Sequence, residues 1–404
     1  VKTQDRVIRR QFTVRTGQPY NAAAILKTQE QIYQLGFFDR VDVAPLKPID
    51  PDPDEPVDLL VSVHERPTGS VQLGAGYGTI FGRGPTVNVG YQEINLWGTG
   101  RPLRLDVNLS QLLNEGLNLT QPQLSGQLSI REPYLLGHDL IGEAGLNFQR
   151  QTLLTGPTAG LYYQTFGPTV AVSRQFSPAL LGTLRYAWDR TDYLQSYTPA
   201  EVAQQGGSTS RIDSIVTPSF TYDTRSDLLD PRWGSRSDVG VDLALPVLGG
   251  SLLYMRPHAD LARYIPLPRK MVLAVGANLG YIQPIWPTKT VPDDVLFQVG
   301  VNNILRGYSS LTENGQLGPI LGIGHVELRA PLWGAFGGVV FVDAGNAWPN
   351  PRSVSWRSAL VTAGLGARYE TPVGPLRLDY GFHVWPQLGT SGWNGLSFGI
   401  GQAF

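Results

Sequence analysis

The 404-residue sequence predicts a mainly β protein, an antiparallel transmembrane β-barrel of about sixteen strands preceded by a small α+β domain. Three observations carry this prediction. Segments of about ten residues with apolar side chains at every second position recur through the C-terminal four-fifths of the chain. Hydrophobic residues make up 42% and charged residues only 16%, well below the usual quarter, yet the mean hydropathy is −0.11 and no apolar run of about eighteen residues exists. Connections between the segments alternate between tight and long.

The same composition excludes several functions. With no cysteine there is neither a disulfide framework nor a thiolate metal site, a pattern that also suits passage through an oxidising compartment. A net charge of −1 without a basic stripe gives no pull toward nucleic acid. The run Gly74-Ala-Gly-Tyr-Gly78 lacks the dinucleotide fingerprint and has no following helix, so it reads as small positions on a thin strand. No metal or cofactor is expected. Val1 does not open a signal peptide, so the numbered chain is expected to be a mature form or part of a longer precursor.

Residues 1–67 form the first unit. Ile8, Phe12 and Val14 share one face of an expected strand, and Gly17-Gln-Pro-Tyr20 turns the chain. Asn21 can cap a helix in which Ile25, Ile32 and Leu35 recur at helical spacing before Gly36 ends it. Phe37, Val41 and Val43 then mark a second strand, and Val57 to His64 a third, across a Pro/Asp-rich turn.

Residues 68–404 carry the period-two segments. Leu103, Leu105, Val107 and Leu109 alternate with Arg104, Asp106 and Asn108; Leu376, Leu378, Tyr380, Phe382 and Val384 alternate with Arg377, Asp379, Gly381 and His383. A soluble sandwich would alternate in the same way. Loop lengths separate the two. Turns such as Trp97 to Gly100, Pro231 to Gly234 and Pro372 to Gly374 are tight, whereas Thr191 to Ser210 and the stretch near 285–320 are long, as in outer-membrane barrels. The last expected strand, Gly395 to Phe404, sets Leu396, Phe398, Ile400 and Phe404 against Ser397, Gly399, Gly401 and Ala403.

Several of these strings resemble a known family. Arg9-Arg-Gln-Phe12, Gly17-Gln-Pro-Tyr20 and Leu35 to Val43 resemble a polypeptide-transport-associated (POTRA) domain. Leu305-Arg306-Gly307-Tyr308 resembles the (V/I)RG(Y/F) motif in the sixth extracellular loop of the BamA/TamA/two-partner-secretion family of assembly barrels, and Phe341-Val-Asp-Ala-Gly345 resembles its FxDxG strand. Glu327 matches an acidic position on the preceding strand. By alternation Glu327 and Asp343 lie opposite the apolar positions Val326, Leu328, Val340 and Val342 and face the lumen. Two carboxylates there need a cation, and the planar fork of Arg306 suits them, which predicts that loop six folds inward and is tethered. Gly307 would let the loop pass close to the wall. The plainer alternative makes all three ordinary polar groups.

The resemblance implies an outer-membrane assembly factor, not an enzyme, that folds and inserts β-barrel proteins through a lateral seam between first and last strands. Gly74, Gly76, Gly78, Gly399 and Gly401 would weaken that seam, and the terminal Phe404 resembles a barrel recognition signal. Expected partners are unfolded outer-membrane or secreted clients, outer-membrane lipid and periplasmic assembly subunits. The expected location is the bacterial outer membrane, with the N-terminal domain in the periplasm. His325 and His383 lie on lumen faces without a Ser or Cys motif, so no catalytic residue is assigned. Two alternatives remain: export through the lumen, as in two-partner secretion, and a passive porin.

Overall fold

The computed structural model describes residues 2–46, 57–78, 84–113, 119–152, 162–194, 209–299, 305–306, 317–372, 374–385 and 396–402. The first unit holds two helices, α1 (Asp5–Arg9) and α2 (Ala22–Gln34), and an antiparallel pair, β1 (Phe38–Pro45) and β2 (Leu59–Glu65). Asn21 caps α2 by accepting the Ala24 N–H, and Gly36, at φ +75°, stops it where a side chain would be strained. Ile25 and Ile32 of α2 pack on Phe38, Val41 and Val43 of β1, with Val7 of α1 completing the core.

The expected first strand is not there. Residues 5–9 are helical, and Thr13, between Phe12 and Val14, gives its N–H to the Thr28 hydroxyl (3.0 Å) and its own hydroxyl to the Ala24 carbonyl (2.7 Å). A donor spent on a helix side chain cannot join a sheet ladder.

The turn at residues 94–102 holds this unit against the C-terminal part of the chain. The Gln4 N–H donates to the Gly98 carbonyl (2.8 Å) and the Asn95 side chain donates to the Thr3 hydroxyl (2.9 Å). Gly98 has φ +71°, and a Cβ there would stand 1.9 Å from the Lys2 carbonyl oxygen. The Asn95-Leu-Trp-Gly-Thr-Gly100 string is therefore shaped by backbone contact between the two units.

From Gly69 onward the chain is strand after strand. β3 (Gly69–Gly78), β4 (Gly84–Glu93), β5 (Leu103–Leu113), β6 (Leu119–Glu132), β7 (Ile141–Thr152), β8 (Tyr162–Ser177) and β9 (Leu180–Tyr193) come first. β10 (Ser210–Asp223), β11 (Gly234–Ala244), β12 (Tyr254–Pro266), β13 (Val272–Tyr281) and the two-residue β14 (Gln283–Pro284) come next. A small pair, β15 (Phe297–Gln298) and β16 (Leu317–Gly318), lies within the longest connection. Last come β17 (Ile320–Trp333), β18 (Phe336–Trp348), β19 (Leu360–Tyr369), β20 (Leu376–Trp385) and β21 (Leu396–Ile400).

Apart from β1, β2, β15 and β16, these strands form one large antiparallel sheet of seventeen, in which successive strands pair, except that β14 pairs with β12 and β17 with β13, and β21 comes to stand beside β3. The count exceeds the expected sixteen through β14, which pairs with β12 as β13 does and so lies on the line of β13. Among the described residues no helix is long and apolar enough to cross a membrane.

The two faces differ as alternation predicts, and their polarity is inverted relative to a soluble protein. On β17 and β18, Val326, Val340 and Val342 are about half exposed, while Glu327 and Asp343 are fully buried. Apolar side chains thus line the outside and charges the inside. Large aromatic and aliphatic groups stand out at strand ends and turns, among them Trp97, Leu136, Trp233, Trp333 and Trp356, and Trp333 stacks on Phe336, which meets Tyr369.

The last strand departs from expectation. β21 stops at Ile400; Gly401 adopts φ +84°, and the Gln402 N–H donates to the Leu229 carbonyl (3.0 Å) in the turn between β10 and β11. Gln402 also donates to Asp230 (2.8 Å) and accepts from Arg368 (2.9 Å). A left-handed residue breaks the extended line, so Gly401 ends the strand and does not lie in it. Phe404 lies outside the described residues.

A buried charge cluster as candidate functional site

The candidate site grows from alternation on four consecutive strands. On β17 the inward residues change character along the strand, from Leu321 and Ile323 to His325, Glu327 and Arg329, all buried. Phe341 and Asp343 point inward from β18, Arg368 from β19, and Arg377 and Asp379 from β20. Register places His325 directly opposite Asp343 and Glu327 opposite Phe341, which brings the two carboxylates to adjacent strands two residues apart.

Arg306 enters between them from the long connection. Its Nε donates to Asp343 Oδ2 and its Nη2 to Asp343 Oδ1, both at 2.8 Å, giving the bidentate fork on which an arginine–carboxylate pair depends. The backbone N–H of Arg306 adds a third bond to the same carboxylate at 3.2 Å, and Nη1 donates to Glu327 Oε2. The guanidinium also lies 3.6 Å above the centroid of the Phe341 ring. Arg306 and both acids are almost wholly removed from solvent.

Neighbouring residues complete this arrangement. Leu305 packs with Val299, Leu321, Ile323, Ala347 and Leu360, an apolar seat immediately beside the charges. Gly307 and Tyr308 lie outside the described residues. Gly345 of β18 is required by close approach, because a Cβ there would stand 2.1 Å from the Gly322 carbonyl oxygen. Gly364 of β19 plays a similar part beneath Phe341: its Cβ would be 2.2 Å from the ring and 2.3 Å from the Tyr380 carbonyl oxygen. Gly364→Ala should therefore displace the ring on which Arg306 lies and cost about 1–3 kcal/mol, read as a lower unfolding temperature of the heat-modifiable folded form. An unchanged temperature would show that the ring has room to move.

The wider network was not assigned from the sequence. His325 links Asp343 (3.0 Å) to Asn278 of β13 (2.9 Å), Arg329 donates to Glu327 (2.6 Å), and Arg368 pairs with Asp379 (2.6 Å). Arg306 and Arg368 also approach Asp379 and Glu327 at 4.0 and 3.8 Å. The available signal was the repetition of charged or titratable residues at i and i+2 within β17 and β20, 325/327/329 and 377/379, which alternation assigns to one face of each strand.

The remaining expected residues concern the seam. Gly74 of β3 accommodates the Asn88 side chain, which a Cβ would meet at 2.0 Å, and Gly399 of β21 accommodates Arg377, whose Nε would be 2.9 Å away. Each glycine thus makes room for a side chain from the strand next to it. Gly76 and Gly78 belong to β3, while Gly401 lies past the end of β21.

A family model described as the Omp85 superfamily domain matches residues 95–404, and the POTRA model, described as surface antigen variable number repeat, matches residues 1–66. The outer membrane protein assembly factor BamA of Neisseria meningitidis serogroup B is 24% identical over 442 residues, covering 94% of this chain and 52% of the relative. The chain spans about half the length of the curated relatives it matches. The crystal structure of BamA from Haemophilus ducreyi lacking POTRA domains 1–3 aligns with a TM-score of 0.79 at 20% identity, over 98% of this chain and 80% of that one. CdiB from Acinetobacter baumannii aligns with a TM-score of 0.63 at 16% identity, over 98% and 71%. With a POTRA unit followed by a sheet that the superfamily model matches over well more than half the chain, this protein belongs to the Omp85 superfamily and resides in the outer membrane.

Proposed function

We propose that this chain is the membrane-embedded part of an assembly factor that folds and inserts β-barrel proteins into the outer membrane. In this reading the seventeen strands act as sixteen staves of a closed transmembrane barrel, β14 extending β13, and the POTRA unit sits in the periplasm and receives the unfolded client. Catalysis is physical rather than covalent. A client strand entering lipid carries backbone N–H and C=O groups that hydrocarbon cannot satisfy, each worth several kcal/mol, and an opened edge at β3 or β21 supplies partners for them. No cofactor enters the reaction.

The observation that carries this reading is the inward-folded loop, held by Arg306 between Glu327 and Asp343. A segment pinned in the interior narrows any passive path through it, and export through the lumen would have to displace it. The test is reconstitution of the full-length protein in vesicles with an unfolded outer-membrane β protein. Folding of that client should be at least about ten times faster than in empty vesicles, and equal rates would overturn the proposal.

A further inference from the structure

The long connection between β14 and β17 is held at a second place, far along the wall from Arg306. The Arg211 side chain of β10 is 9% exposed, and its Nη2 donates to Asp294 Oδ2 at 2.6 Å while Nη1 donates to Asp294 Oδ1 at 3.0 Å. Arg211 Nη1 also donates to the Tyr193 hydroxyl (2.6 Å) at the end of β9, that hydroxyl bonds Asp294 (3.1 Å), and Arg211 Nε donates to Asp213 (2.8 Å). One residue further on, the Val295 carbonyl accepts from Arg256 of β12 (3.4 Å), and Arg256 is itself paired with Asp242 of β11 (2.8 Å).

We propose that Asp294 and Arg211 are a positioning pair, the second anchor of a strap tied to the inner face of the sheet against β9–β12 at one end and against β17–β18 at the other. The inference rests on the assembly-factor reading for its purpose, though its geometry stands without that reading. The two anchors have opposite polarity: at one the strap supplies the acid and the wall the arginine, at the other the strap supplies Arg306 and the wall the acids. Reversed polarity prevents either end from docking at the other's seat, since each would meet its own sign of charge. Described apolar residues of the strap pack on the wall between the anchors. Val295 packs with Ala244, Tyr254 and Ile282, Val299 and Leu305 pack with Leu321 and Ile323, and Phe297 borders both groups. Gly280 of β13 leaves the space that the Phe297 ring fills; a Cβ there would be 2.3 Å from it.

One anchor alone would let the segment before Arg306 swing about that point. Two anchors fix both its path and its direction, so the strap braces the stretch of sheet from β10 to β18. Loss of either anchor would leave a charge buried without its partner, and the strap would spend part of its time undocked.

The chain has no cysteine, so, with any cysteine outside residues 1–404 replaced by serine, a single nitroxide on Thr290→Cys reports the near end of the strap in the full-length protein in vesicles. Asp294→Asn and Arg211→Gln should each lower the ratio of docked to mobile label on the order of 100-fold, as for a buried ion pair losing one member. The exchanged pair Arg211→Asp with Asp294→Arg should return the label to its docked line shape, because the arginine now on the strap would face two wall carboxylates, the introduced one and Asp213. Asp294→Asn alters the strap alone, so the wall folds even where Arg211→Gln does not, and heat-modifiable migration checks folding in each case. A label that stays docked in Asp294→Asn, or an exchanged pair as mobile as the single variants, overturns the proposal. The label is read without client: a docked-to-mobile response in a protein that fails to speed client folding would remove the assembly-factor reading and leave the anchor intact.

Discussion

Arg306→Ala should abolish most client insertion while the sheet itself still forms. The argument is electrostatic. Glu327 and Asp343 are fully buried, and removing the group that donates to both leaves Asp343, among the described residues, with the hydrogen bond to the His325 side chain and deprives Glu327 of one of its arginines. Breaking a buried pair in this way costs about 3–5 kcal/mol, more than the surrounding contacts of one loop residue return, so the loop end leaves its seat. Arg306→Lys tests the geometry separately. A lysine keeps the charge but loses both the bidentate fork on Asp343 and the planar stacking on Phe341, and should restore only part of the activity. Glu327→Gln and Asp343→Asn should be unequal. Asp343 accepts three bonds from Arg306 whereas Glu327 accepts one and is shared with Arg329, so the Asp343 variant should be the more damaging. The measurements are client folding in vesicles and protease access to the loop. Wild-type folding rates in Arg306→Ala, together with an unchanged cleavage pattern, would reduce the cluster to ordinary lumen charges.

Different kinds of residue were legible to different degrees, for a physical reason. Alternation reports which face a side chain occupies, so Glu327 and Asp343 could be placed inside and Val326, Val340 and Val342 outside from spacing alone. It does not report which strand lies opposite, or at what height. Arg211 and Asp294 are separated by 83 positions, and nothing local to either one names the other. The same limit hid the pairing of Arg368 with Asp379, of which only Asp379 had been assigned a face. The short helix α1 escaped because five residues contain barely more than one turn, and its N-cap Gln4 makes no side-chain capping bond. Its apolar Val7 and Ile8 read as readily as part of a strand.

The glycines near the seam show how one residue type answers to several causes. A weakened ladder was the expected reason for all of them, but Gly74 and Gly399 are small because Asn88 and Arg377 lie over them, and Gly401 is glycine because the chain turns there at φ +84°. With Gly401 turned aside and Gln402 bound to the β10–β11 turn, β21 leaves the extended line after Ile400, at the end of the seam with β3.

Covalent closure of that seam should therefore stop client insertion. Cysteines placed in facing positions of β3 and β21 and oxidised would hold the two strands together while leaving Arg306 and its acids untouched. If the client's first strand must pair with an exposed edge, the oxidised protein should work at the rate of empty vesicles, and reductant should restore it. A disulfide between β3 and β4 is the matching control. Leu73 and Val89 are cross-strand partners on the outer face, so Leu73→Cys with Val89→Cys adds a crosslink of the same chemistry without closing the edge and should leave insertion near wild type. Oxidised seam variants that still insert clients would exclude lateral opening and return the choice to passage through the interior. That route has its own requirement, because the strap held by Arg306 and Asp294 would have to leave the lumen first. A seam-locked, active protein should then lose its activity when a second disulfide fixes the strap to β17, whereas a protein that works by lateral opening should tolerate that second bond as long as the seam is free.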